Sequence, residues 1–155
     1  MKQLFLLRHG EAGFSDGTDF QRRLTQKGID NLKRMGNHLT DPAIDIDIMY
    51  CSSALRTIET SNLIKNFISV KEEIFTREIY DGDMNALLTI LEKTPFSANS
   101  CLLIGHNPTI SLLLAHLTDE DYLGLKPGMM VEVNLEISQW HMIGLGTGIL
   151  KEVLQ

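Results

Sequence analysis

Two arginines and two histidines stand out in this sequence because each follows a short apolar run and has glycine or serine nearby. They are Arg8 and His9 in Leu6-Leu7-Arg8-His9-Gly10, Arg56 in Ser52-Ser53-Ala54-Leu55-Arg56-Thr57, and His106 in Gly105-His106-Asn107-Pro108. If these groups converge, the chemistry they favour is phosphoryl transfer. Two guanidiniums can fork onto one phosphoryl group through paired N–H donors. A neutral imidazole is a competent nucleophile at pH 7, and a second one beside it can serve as donor or acid. A phosphoryl group in transfer needs chiefly positioning and charge neutralisation. Gly10 and Gly105 let the backbone turn sharply beside both histidines and allow close approach of a substrate. A lone histidine after a strand is more often structural; the set of four carries the reading.

Convergence depends on the elements that hold these residues. Gln3–Leu7 reads as a buried strand and Glu11–Phe20 as a loop of about ten residues, a length at which loops are often functional. Thr25 caps a helix with Leu24, Ile29, Leu32, Met35 and Leu39 at helical spacing, ended by Pro42. Ile44–Tyr50 reads as a second strand. Ser52-Ser53 opens a helix that turns Ala54, Ile58, Leu63, Ile64 and Phe67 inward. A short strand lies in Glu73–Ile79, a helix in Met84–Glu92, a strand in Cys101–Ile104 and a helix in Ile110–Leu117. Met129–Ile137 alternates as a half-exposed strand, with Ser138–Ile143 as its partner. Strands alternating with helices predict a three-layer α/β/α sandwich, mostly parallel, with an antiparallel edge strand. Sites in such sheets lie at the carboxyl ends of strands, where all three segments fall.

The whole chain, residues 1–155, reads as one domain. A chain of this size buries roughly 70% of its unfolded surface, enough for a core without disulfides or metals. The 14 Lys and Arg against 20 Asp and Glu give a net charge of −6. That balance excludes a general nucleic-acid binder, which needs a positive face, but not a small phosphate site. Cys51 and Cys101 lie inside apolar runs and read as buried thiols of a reducing compartment. Leu4–Leu7 is too short for a signal peptide, and no run of about 18 apolar residues can span a membrane. The expected address is the cytoplasm, with no membrane partner.

The three segments together resemble the motifs of the histidine phosphatase superfamily, which contains the cofactor-dependent phosphoglycerate mutases and acid phosphatases. Order and spacing fit over about residues 3–118. Only 48 residues separate Arg56 from Gly105, too few for the lid of the larger members, and Arg22-Arg23-Leu24-Thr25-Gln26-Lys27-Gly28 looks most like the compact SixA-type phosphohistidine phosphatases. The resemblance implies a phosphoglycerate mutase-like fold, His9 as the nucleophile that becomes phosphohistidine, and Arg8, Arg56 and Arg22 (or its neighbour Arg23) on the phosphoryl oxygens. It assigns His106 to donation onto the phosphoryl group and requires no metal or cofactor. For the general acid it offers two candidates in Arg77-Glu78-Ile79-Tyr80-Asp81-Gly82-Asp83: Glu78, placed as in the larger phosphatases, and Asp81, placed as in the compact group. The bland alternative is that both are solvated loop carboxylates.

Three functions are open at this point: a phosphatase of phosphohistidine in a protein, a small-molecule phosphomonoesterase, or an inactive phosphate- or phosphopeptide-binding module. Keeping both histidines speaks against the last, because binding phosphate needs arginines and no nucleophile. Cys51 to Arg56 is one residue short of the cysteine-phosphatase loop. Gly144-Leu-Gly146-Thr-Gly148 is a turn, since too little chain follows for a dinucleotide-binding unit. His38, His116 and His141 lack metal-ligand spacing. Asp119-Glu120-Asp121 reads as a solvated loop, and Met35, Met84, Met129, Met130 and Met142 as core filling.

Overall fold

The computed structural model describes residues 1–39 and 43–155, so Pro42, the expected end of the first helix, lies outside the described residues. The elements are β1 (Lys2–Arg8), α1 (Gln26–Asn37), β2 (Asp45–Ser52), α2 (Leu55–Ile64), β3 (Ser69–Thr76), α3 (Arg77–Asp81), α4 (Met84–Glu92), β4 (Ser100–Gly105), α5 (Thr109–Thr118), β5 (Met130–Leu135) and β6 (Gly148–Leu154). One six-stranded sheet runs β3-β2-β4-β1-β5-β6. β3, β2, β4 and β1 pair in parallel, while β5 is antiparallel to both β1 and β6. The antiparallel strand thus sits one place in from the edge, and the edge strand β6 runs with the body of the sheet.

The pleat of the central strands makes the three layers. In β1, Leu4 and Leu6 face one side with α4 and α5, while Phe5 and Leu7 face the other with α1 and α2. β4 repeats this with Cys101 and Leu103 against Leu102 and Ile104. Such strands are buried on both faces and read as continuous apolar runs, and each fully buried large side chain contributes about 1.5–3 kcal/mol. Cys51 and Cys101 are buried free thiols within these runs.

Several local expectations differ from the structure. Ser138–Ile143 is not the partner of β5: Trp140–Met142 forms a 3₁₀ turn that sinks the Trp140 ring, whose indole N–H donates to Ala98 O at 2.8 Å. The partner is β6, fed by the Gly144–Thr147 turn. The strand expected in Glu73–Ile79 begins earlier, at Ser69, and gives way to α3 at Arg77, where Thr76 caps the helix through Glu78 N. α2 buries Arg56, Thr57, Thr60 and Ser61 besides Ile64, so its inward face is largely polar. Met142 is 49% exposed and fills no core. Among the described residues no helix is long and apolar enough to cross a membrane.

Candidate active site

Sheet register builds the site. Arg8 of β1 pairs with Gly105 of β4, and one rung away Ile104 pairs with Cys51 of β2. Arg8, Gly105 and Ser52 therefore end their strands level with one another. The residues that follow, His9, His106 and the start of α2, leave the sheet at the same edge.

Short-range bonds fix each loop. Gly128, at φ +78, a value that favours glycine, donates its N–H to the carbonyls of both Arg8 and His9. Thr60 Oγ1 accepts from Gly10 N and donates to Arg56 O at 2.8 Å, tying the His9 turn to the helix that carries Arg56. The Leu125 carbonyl accepts from Arg8 Nη1 and from Asn107 Nδ2, both at 2.8 Å, and so couples Arg8 to the His106 loop. The loop after β1 closes at its base, where Ala12 bridges to Leu24 and Thr25 N donates to Glu11 O. Gly28 fits against that base with no room for a side chain: a Cβ there would lie 2.3 Å from Glu11 O.

The four residues singled out by type and spacing meet. The His9 and His106 rings are 5.2 Å apart. Arg56 Nε donates to His9 Nε2 at 3.4 Å, and Arg56 Nη2 to His106 Nδ1 at 3.3 Å. These contacts fix both tautomers, because arginine only donates. His9 Nδ1 carries the proton and gives it to Gly10 O at 2.7 Å, so Nε2 holds a lone pair. His106 Nε2 carries its proton and donates to Ser52 Oγ at 2.8 Å. Burial lowers the His9 pKa to about 4, helped by Arg56, Arg8 and Arg22 against the Gly10 hydrogen bond. Burial likewise lowers His106 to about 3, helped by His9 and Arg56. Both rings are neutral at pH 7. Burial also lowers the Arg8 pKa, and its Nε is buried with no hydrogen-bond partner among the described residues. A buried donor without an acceptor is costly and rare, and here it stands beside two further arginines and two neutral imidazoles.

Arg22 joins through its neighbours, with Nε on Gly13 O at 2.8 Å, Nη2 on Ala12 O and Nη1 on Asp19. Arg23 points elsewhere, to Glu59. Among the described residues no hydrogen bond or ion pair joins either candidate acid to the histidines. Glu78 lines a groove with Tyr50, Ile74 and Ile90, and Asp81 pairs with Arg77 at 3.1 Å on the surface. Sequence reasoning missed Asp19, whose carboxylate is held by Arg56, Arg22 and Tyr80. It sits in an aperiodic loop and carries no motif. Burial pushes the Cys51 thiol up to about 12, so it is no thiolate nucleophile. Among the described residues no His, Cys, Asp and Glu cluster could hold a metal ion.

A three-layer sandwich that brings arginines and neutral histidines to the carboxyl ends of its strands is an arrangement suited to phosphoryl transfer, and the sequence points the same way. Residues 4–95 match the model of the Histidine phosphatase superfamily (branch 1); the chain belongs to that family and is a phosphatase. Its particular likeness is to the compact members. It is 28% identical over 118 residues to phosphohistidine phosphatase SixA of Escherichia coli, covering 74% of this chain and 73% of that one. The structure of the protein histidine phosphatase SixA complexed with tungstate superposes with a TM-score of 0.84 at 24% identity, over 99% of this chain and 96% of that one. A phosphoserine phosphatase from Entamoeba histolytica, bound to 3-phosphoglyceric acid, shares the fold with a TM-score of 0.64 at 17% identity, over 100% of this chain and 98% of that one.

Proposed function

We propose that this chain removes phosphate from phosphohistidine in a protein, with His9 as nucleophile. The observation that carries the reading is the lone pair on His9 Nε2, which the Gly10 hydrogen bond leaves unprotonated and which accepts a long hydrogen bond from Arg56 at 3.4 Å. His9 Nε2 attacks phosphorus, the bond from phosphorus to the substrate nitrogen breaks, and the phosphoryl group passes to His9. Arg8, Arg56 and Arg22 neutralise its oxygens, and His106, which takes a proton from solvent at Nδ1 as the anion enters, donates to one of them. Water then cleaves the phosphoenzyme, releasing phosphate and restoring His9. The reaction draws on the arginines and His106 for charge neutralisation, without a metal or cofactor.

Two features favour phosphohistidine over a small ester. Neither Glu78 nor Asp81 contacts the histidines, and an alkoxide leaving group needs an acid there more than a protonated imidazole does. With 48 residues between Arg56 and Gly105, the pocket offers little binding area beyond the phosphoryl group, which a docked protein supplies itself. The buried free thiols fit a cytoplasmic address. The test compares turnover of a phosphohistidine protein, phosphoramidate and a panel of sugar phosphates. The protein substrate is expected to have the highest kcat/KM, and a metabolite phosphate turned over far faster would move the chain to the small-molecule reading. An acid-labile, base-stable phosphoenzyme is expected in the wild type and absent in His9→Ala.

A further inference from the structure

One carboxylate does reach the site, and it belongs to neither Glu78 nor Asp81. The Arg56 guanidinium forms a flat plate. Its Nε end faces His9 Nε2 at 3.4 Å, and its Nη end faces Asp19, with Nη1 donating to the Asp19 carbonyl at 2.8 Å and Nη2 to Oδ2 at 3.1 Å. The Tyr80 hydroxyl donates to the same Oδ2 at 2.7 Å, and Arg22 Nη1 donates to Oδ1 at 3.1 Å. The Asp19 side chain is 52% exposed and that of Arg56 only 7%. The carboxylate therefore stands at the mouth and the His9 lone pair at the floor. A phosphoryl group carried along the plate enters beside Asp19 and ends on His9. The mouth is walled by aromatic faces: Tyr80 meets Phe20 edge-on at 4.8 Å and His106 at 5.5 Å, and the Arg77 guanidinium lies 4.5 Å from the Phe20 ring centre. Flat walls of this kind suit a planar leaving group.

On the phosphohistidine reading, we propose that Asp19 determines specificity: its carboxylate accepts the N–H of the departing imidazole, on the ring nitrogen that does not carry phosphorus. The substrate ring enters as an imidazolium, with phosphorus on one nitrogen and a proton from solvent on the other. The His9 Nε2 lone pair forms the new P–N bond while the old P–N bond breaks and returns its electron pair to the ring. The ring leaves as neutral imidazole with its proton in place. Without that proton it would leave as imidazolate, a far poorer leaving group. A carboxylate facing the N–H favours the charged ring and keeps the substrate reactive to higher pH. Asp19 does not take the proton itself, because hydrogen bonds from Tyr80 and Arg22 hold its pKa down at about 2. A phosphate ester has no such N–H to offer.

The experiment uses Asp19→Asn and Asp19→Ser on 1-phosphoimidazole and p-nitrophenyl phosphate across about pH 5.5–9. At the alkaline end, kcat/KM on phosphoimidazole is expected to fall about 10- to 100-fold, the range for losing a charged hydrogen bond. The loss on p-nitrophenyl phosphate is expected to be about tenfold smaller, since that ester loses no such bond. The alkaline limb of the phosphoimidazole profile should also move to lower pH in both variants, a shift that a purely structural role does not produce. Thermal melting and tungstate binding report whether the fold and the arginine clamp persist. Equal losses on both substrates with an unmoved limb would assign Asp19 to holding Arg56 and overturn the proposal. A wild-type enzyme that hydrolyses p-nitrophenyl phosphate but neither phosphoimidazole nor a phosphohistidine protein would overturn the substrate reading instead, with no variant needed.

Discussion

At the amino ends of β1 and β4, the buried Lys2 ammonium donates to Phe96 O at 3.0 Å, Ala98 O at 2.9 Å and Asn99 Oδ1 at 3.1 Å, filling all three of its positions. Nearby, Asp47 Oδ2 accepts from Asn99 N and Ser100 N, and Oδ1 from Lys71. At the carboxyl ends of the same strands, Arg8 keeps a buried N–H without a partner among the described residues, and two imidazoles are held neutral beside three arginines. One end satisfies its charges internally and stabilises the fold. The other leaves the Arg8 Nε–H over and its imidazoles uncharged, which costs stability in the absence of an anion. The same sheet supports both because its two ends are separated by the length of the strands.

The contrast is broken most severely at His9. Substitution by alanine should lower kcat by about 10³-fold or more, the scale of removing a covalent nucleophile, with thermal stability retained; near wild-type turnover would end the mechanism. Arg56→Lys comes next. It keeps the charge but loses the fork, so kcat/KM should fall by about 2–3 kcal/mol of transition-state binding, read on a phosphohistidine substrate. Unchanged efficiency would show that Arg56 makes no direct contact with phosphate. Lys2→Met probes the opposite end. It leaves buried carbonyls without their donor and should lower unfolding free energy by about 1–3 kcal/mol, measured by denaturant titration, with kcat/KM unmoved. A loss of activity in that variant would mean the two ends are coupled.

The smallest effect is the most diagnostic of neutral histidines. His9 and His106 have folded pKa values near 4 and 3, below the ordinary 6.5. As pH falls below about 6.5 the unfolded chain binds protons that the folded chain refuses, so stability drops from there to about pH 4 and then levels off for His9. Above about 6.5 neither ring contributes to the slope. Asp19 stays ionised throughout this window, since its own contribution is lost only as pH falls toward about 2. Tungstate favours charged rings, so its stabilisation of the fold should grow between pH 7 and 5; a tungstate effect flat over that range would contradict buried neutral histidines.

The strand-end residues were legible because chemistry and architecture coincide there. Arg8, His9 and His106 each follow an apolar run that can only be a buried strand, and the parallel register does the rest. Asp19 and Tyr80 were not. Their contacts to Arg56 and to each other span 37 and 61 residues of chain, and nothing local in the loop encodes them. The inward face of α2 escaped for a related reason. Thr57 and Thr60 look solvent-facing by type, yet they bury their hydroxyls by bonding Ser52 O, Ala54 O and Arg56 O. The β6 pairing was hidden by its edge position, which leaves Ile149, Leu150 and Val153 exposed and erases the alternation that marks a strand.

The closed base of the loop after β1 has a consequence for how this scaffold can vary. Ala12 and Leu24 are bridged, Gly13 N donates to Arg23 O, and Gly28 is seated on Glu11, so the stem sets where the segment begins and ends whatever lies between. Residues 14–21 lie between these fixed ends, and Asp19 among them holds the Arg56 guanidinium. Doubling the length of such a closed loop costs only about 0.6 kcal/mol of closure entropy, while the backbones of His9 and Arg56 are tied outside it by Gly128 and Thr60. Evolution, or a loop library, can rewrite the residues around Asp19 while the backbone ties of His9 and Arg56 stay in place.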